Sequence, residues 1–120
     1  VTLIGSVASV HPGMDKLPMV SAMLAGDEQA ALAQADAMAM PQAAYAGSKY
    51  AIAVFARRKA VALGPKGIRI NVVSPGLLQA AAQKYDGYFP GHEPVSDERV
   101  GLAYVKSVEG AITGQVIIVE

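Results

Sequence analysis

The chain has 120 residues, 52% hydrophobic and 17% charged, with ten Lys and Arg balancing ten Asp and Glu. That length holds one domain at most, and so apolar a composition excludes a disordered tail. Zero net charge, with no basic stripe or acidic run, argues against nucleic acid and anionic membrane as partners, and the lack of cysteine excludes a disulfide framework and thiolate metal sites. No apolar run of about 18–20 residues is free of breakers and no basic-headed leader precedes one, so the sequence reads as soluble and cytoplasmic, with its function in a pocket.

Residues 1–7 are aliphatic and β-branched on both faces, the pattern of a central parallel strand. Gly5-Ser6 then falls at the carboxyl end of that strand, where open α/β sheets place their ligands. His11-Pro12-Gly13 breaks the run, and His11 reads as a turn residue because no second histidine or carboxylate cluster is placed to assist it. An Ala- and Met-rich helical segment follows over residues 15–40, with Asp27 placed to cap a second helix and Glu28 in its first turn. Met19, Met23, Leu24, Met38 and Met40 suit two roles, lining a substrate mouth or packing this segment onto the body or another subunit, and the second is preferred.

Residues 45–63 form the longest helical pattern, with Ala51, Ile52, Val54, Phe55, Ala60, Val61 and Leu63 on its apolar surface and Arg57, Arg58 and Lys59 facing solvent or a second subunit. Gly64-Pro65 is read as its stop, the glycine serving as a C-terminal cap. Residues 68–74 make a second buried strand ending in Pro75-Gly76, and the strand–helix–strand order gives a right-handed crossover. Residues 85–94 read as a loop. Ser96 starts a helix to about residue 107 with Val100, Leu102, Ala103 and Val105 inward, and residues 114–120 form a last strand.

Within the long helix, Tyr45-Ala46-Gly47-Ser48-Lys49 places a phenol and an ammonium four residues apart, on one face and about 6 Å apart along the axis. A cation beside a phenol favours the phenolate, which makes the pair a candidate proton-transfer device. Alone, such a pair is more often an exposed helix pair than a catalytic one. Ser6, likewise, could satisfy nearby backbone or bind a ligand.

Taken together, four segments in order give the chain a resemblance to the short-chain dehydrogenase/reductase family: Ile4-Gly5-Ser6-Val7-Ala8-Ser9, the Tyr45/Lys49 helix, residues 68–76, and residues 112–120. The resemblance implies a Rossmann-like doubly wound parallel α/β sheet and an NAD(P)-dependent oxidoreductase interconverting a secondary alcohol and a ketone. It implies Tyr45 as general acid/base, Lys49 lowering the phenol's pKa and binding the nicotinamide ribose, and Ser6 binding the substrate oxygen, with Ser9 a helper or a structural residue. Pro75, Gly76 and Leu78 would lie against the nicotinamide, whereas Ala80 stands near the place of a threonine that bonds the carboxamide and cannot donate. Tyr88, Phe89 and His92 fall in the variable lid that covers substrate in relatives, or anchor that loop. The family also implies a homodimer or homotetramer.

Helical insertions between the serine and the tyrosine, here at about residues 12–42, occur in the bacterial hydroxysteroid dehydrogenase/carbonyl reductase branch, which Tyr45-Ala46-Gly47-Ser48-Lys49 also resembles. A hydrophobic, steroid-like alcohol is the substrate this implies. The glycine-rich turn that meets a pyrophosphate is absent, as is a residue choosing NAD or NADP, and the first strand would be a bare sheet edge. The expectation is therefore one partial Rossmann-type domain over residues 1–120, its dinucleotide-binding half outside the sequence. Two alternatives stand beside it: a truncated, non-catalytic assembly module, and an epimerase or dehydratase using the same Tyr/Lys pair.

Overall fold

The computed structural model describes residues 1–85 and 91–120. Three parallel strands, β1 (Thr2–Ile4), β2 (Asn71–Pro75) and β3 (Val116–Val119), lie side by side in that order, with Thr2 opposite Asn71, Ile4 opposite Val73, and Val73 opposite Ile117. Among the described residues five α-helices connect or cover them: α1 (Pro18–Ala25), α2 (Glu28–Met38), α3 (Pro41–Leu63), α4 (Gln79–Ala82) and α5 (Asp97–Glu109).

β2 is the middle strand and the driest part of the molecule, with Asn71, Val72, Val73 and Ser74 fully buried. Because strand side chains alternate, Val72 points to one face and Val73 to the other. Val72 joins Ala56, Ala60 and Ile70 beneath α3, while Val73 joins Val95, Val100, Ala103 and Val119 beneath α5. The result is a helix–sheet–helix sandwich, the parallel α/β architecture expected from the sequence.

The buried stripe of α3 is Ala46, Gly47, Ala51, Ala53, Ala56 and Ala60. This corrects the expected apolar surface, since Phe55 and Val61 are exposed, Val61 by 79%. Small side chains let the helix backbone approach the sheet at Ala56 and Ala60, with Ile52 and Leu63 packed, partly buried, at the margin of that contact. A similar correction applies to α5, whose inward residues are Val100, Ala103 and Ser107, at the i, i+3, i+7 spacing of one helix face. Leu102 and Val105 lie off that face and are exposed.

Three local readings hold and one shifts. Asp27 Oδ1 accepts from Ala30 N at 2.9 Å at the start of α2, and Ser96 Oγ accepts from Arg99 N at 3.2 Å at the start of α5. His11 closes a 3₁₀ turn over Val7–Val10, donating its backbone N–H to Ala8 O. Gly64 is the C-cap of α3, its N–H donating to Ala60 O, but it keeps a right-handed helical backbone instead of the left-handed one usual for a glycine at a helix end. The chain continues as a 3₁₀ turn over Gly64–Lys66 and turns out at Gly67, where φ is +72° and Ile68 N bonds Leu63 O.

Residues 12–42 hold α1 and α2, which pack on each other and onto the first half of α3. Met19, Val20 and Ala51 form the centre of that contact, with Met23, Leu24 and Met38 around them. Most of the methionines therefore serve packing, as preferred from the sequence, whereas Met40 is exposed. Gly47 lets this segment close onto α3, since a Cβ there would lie 2.9 Å from Leu17 Cδ1 and 3.2 Å from Val20 Cγ2. Among the described residues no helix is long and apolar enough to cross a membrane.

Ala56 has no exposed surface at the contact of α3 with β2. Ala56→Leu is expected to destabilise the fold by about 1–3 kcal/mol through overpacking, read as a lower urea midpoint. Val61→Ala, on the outer face of the same helix, should leave the midpoint nearly unchanged.

Candidate active site

The carboxyl ends of β1 and β2 meet at Gly5, whose N–H donates to Val73 O at 2.7 Å. A Cβ on Gly5 would overlap Ser74 Oγ and stand 2.6 Å from Val72 Cγ1 and 3.1 Å from Val73 O. Glycine is required here so that the two strand ends can close.

Ser6 comes next, with extended backbone, and its Oγ accepts from Ala8 N at 3.2 Å, capping the 3₁₀ turn. This is the backbone-satisfying role foreseen for the serine. Because the hydroxyl is the acceptor in that bond, its own proton stays available to a ligand. Ser9 is buried within the same turn, in a structural position.

That turn packs against α3, where Tyr45 and Lys49 lie one helical turn apart. Lys49 Nζ donates to Ile4 O at 3.1 Å and stands 5.6 Å from the centroid of the Tyr45 ring. One ammonium thus bridges the end of β1 and the phenol, with two further N–H groups to give. Tyr45 is 51% exposed, open to a ligand at the sheet edge. Ser48, between them, donates its hydroxyl to Tyr45 O at 2.7 Å, tying the backbone of the first turns together. Tyr104, on α5, packs against the Val73 cluster, and burial pushes its phenol above the usual value of 10, which keeps it protonated.

Pro75 ends β2 beside β1, and Gly76 N donates to Val119 O at 2.8 Å. A Cβ on Gly76 would make only ordinary contacts, 3.5 Å to Val119 O and 3.6 Å to Glu120 Cγ, so the structure itself tolerates more than glycine there. Leu78 packs on the α5 cluster and pairs with Val95 in a short parallel bridge, Val95 N to Leu77 O at 2.8 Å and Gln79 N to Val95 O at 3.0 Å. This bridge clamps the root of the loop that follows. Ala80 is exposed on α4. Tyr88 and Phe89 lie outside the described residues, and His92 is exposed in the loop.

The sequence reading passed over Ser74. Its Oγ is fully buried, lies against Gly5 and has no hydrogen-bond partner among the described residues. The available signal was its place directly before Pro75, a residue that cannot supply an N–H to the neighbouring strand.

Gly5→Ala is expected to cost about 1–3 kcal/mol by overpacking the strand junction, measured as a fall in melting temperature. Because the displaced atoms adjoin Ser6, the loss of activity should exceed what the residual folded fraction accounts for.

Comparison with known proteins bears on the same segments. A family model described as enoyl-(acyl carrier protein) reductase matches residues 29–109. A 3-alpha-hydroxysteroid dehydrogenase/carbonyl reductase from Comamonas testosteroni is 42% identical over 88 residues, which cover 68% of this chain and 34% of that protein. The crystal structure of the 3-alpha-hydroxysteroid dehydrogenase from Pseudomonas sp. B-0831, complexed with NADH, superposes with a TM-score of 0.87 at 35% identity, over 98% of this chain and 52% of that one. The protein lin1944 from Listeria innocua superposes with a TM-score of 0.65 at 29% identity, over 99% of this chain and 46% of that one. The chain spans about a third of the curated relative and about half of each of these two structures.

Proposed function

Because this chain belongs to the short-chain dehydrogenase/reductase family, we propose that it is the catalytic half of an NAD(P)-dependent oxidoreductase interconverting a secondary alcohol and a ketone. The observation that carries this reading is the reach of Lys49 across to Ile4 O from the same face as Tyr45, which draws phenol, ammonium and the Ser6 turn to one end of the sheet.

The nicotinamide, when bound, supplies or takes the hydride. In the reducing direction Tyr45 gives its hydroxyl proton to the substrate's carbonyl oxygen, and in the oxidising direction the phenolate receives the alcohol's proton. Lys49 sets its ammonium beside the Tyr45 ring, and its N–H groups not engaged by Ile4 O are free for the ribose hydroxyls. Ser6, held by Ala8 N, donates its own proton to the substrate oxygen and steadies the charge that develops there. Pro75, Gly76 and the main chain at Leu78 form the wall against the nicotinamide. The cofactor fits on two counts: the cation at the sheet edge is held in place by a carbonyl, and Gly76 presents backbone without a side chain although nothing in the fold demands it.

NADH in the Pseudomonas structure supports NAD as the cofactor, and the names of the two hydroxysteroid dehydrogenases support a hydrophobic, steroid-like alcohol. The apolar insertion of α1 and α2 on the Tyr45 end of α3 is consistent with such a substrate. A homodimer or homotetramer completes the reading, since Leu102, Val105 and Val108 on the outer side of α5 suit burial against a second copy.

Tyr45→Phe in the full-length protein is expected to lower kcat by about 10²–10⁴-fold, the usual contribution of a positioned acid/base. NADH binding, followed by nicotinamide fluorescence, should be nearly intact. Undiminished turnover would remove Tyr45 from the chemistry. Lys49→Met should lose both turnover and cofactor affinity, because one side chain serves both.

A further inference from the structure

Ser74 offers an observation that the reading above does not use. The other polar residues of the sheet interior are paired: Asn71 Nδ2 donates to Ile112 O at 3.0 Å, Asn71 Oδ1 accepts from Gln115 N at 3.1 Å, and Ser107 shares a 2.8 Å hydrogen bond with Thr2. Ser74 Oγ, with no exposed surface, has no partner among the described residues. An unpaired buried hydroxyl is destabilising, and alanine would fill the same position without that cost.

The missing partner is identified by the strand ladder. Asn71 N donates to Val1 O at 3.0 Å and Gly5 N donates to Val73 O at 2.7 Å, a parallel pattern that advances two residues at a time. Its next bond would run from the N–H of residue 75 to Gly5 O. Residue 75 is proline and has no N–H, so the ladder leaves the Gly5 carbonyl without its donor. The hydroxyl of Ser74 lies against Gly5, on the face of the sheet shared with Val72 and α3. An orphaned donor therefore adjoins an orphaned acceptor, one residue before Ser6.

We propose that Ser74 is a positioning residue for Ser6: as the nicotinamide and substrate fill the sheet edge, its hydroxyl donates to Gly5 O in place of the N–H that Pro75 lacks. In the fold as described, Ser74 Oγ makes no hydrogen bond. Closure of the bond to Gly5 O fixes the Gly5–Ser6 peptide and with it the direction of the Ser6 hydroxyl. Ser74 touches neither substrate nor cofactor and acts through the backbone of Gly5. This inference rests on the oxidoreductase reading.

The test is Ser74→Ala in the full-length protein, with NADH and a 3-alpha-hydroxysteroid as probes. Without ligand, its melting temperature should equal or exceed that of the wild type, because no bond is lost. Saturating NADH should shift the Gly5 carbonyl ¹³C resonance in the wild type and leave it in place in the variant. With the steroid, kcat should fall about tenfold, the scale of a modest loss of orientation, while KM changes little. Ser74→Cys, with a weak donor of nearly the same shape, should recover part of the loss. Equal carbonyl shifts in both proteins, an unchanged kcat, or a ligand-free melting temperature lowered by several degrees would each overturn the proposal. A full-length protein that binds no nicotinamide overturns this inference together with the functional reading, whereas one that binds and turns over with Ser74→Ala unaffected overturns this inference alone.

Discussion

The junction of β1 and β2 at Gly5 is the constraint on which the rest of this structure depends. One backbone hydrogen bond, Gly5 N to Val73 O, closes two parallel strands where Ser74 already occupies the space of a side chain. That closure sets Ser6 beside Pro75, so the residues proposed for the substrate oxygen and for the nicotinamide share one end of the sheet. A parallel sheet has this property generally, since all its strands deliver their carboxyl ends to the same edge.

The helix above that edge is organised by smallness. Ala46, Gly47, Ala51, Ala53, Ala56 and Ala60 form its inner surface. The α1 segment closes in at Gly47 and the sheet at Ala56 and Ala60, and the long side chains of Tyr45 and Lys49 are left for the open side. Lys49 then makes a contact that joins the two elements, an ammonium on the carbonyl that ends β1. Packing and chemistry are thereby coupled, because the distance between helix and strand determines whether the cation can hold Ile4 and face the Tyr45 ring at once.

The strands and the long helix were legible in the sequence because their patterns are local: aliphatic runs for the strands, the Tyr45/Lys49 spacing for the site, and Asp27 and Ser96 for the helix starts. Errors arose where local and tertiary preferences diverge. Phe55 and Val61 are apolar, yet the face of α3 that meets the sheet is the one carrying Ala56 and Ala60, with Ile52 and Leu63 beside them. Leu102 and Val105 are apolar too, but the sheet touches the face of Val100, Ala103 and Ser107. Gly64 caps α3, yet only the backbone through Pro65 to Gly67 shows which glycine turns left-handed.

By itself the sequence determined the family and the order of the parallel elements, and it nominated Ser6, Tyr45, Lys49, Pro75 and Gly76 as candidates, because residue type and spacing along one chain carry that information. The tertiary structure alone decided which faces are buried, that Lys49 bonds the carbonyl of Ile4 forty-five residues away, and that Ser74 lies against Gly5 with no partner among the described residues. These are relations between segments remote in sequence, fixed by strand register and by the closeness of packing, and no local pattern encodes either.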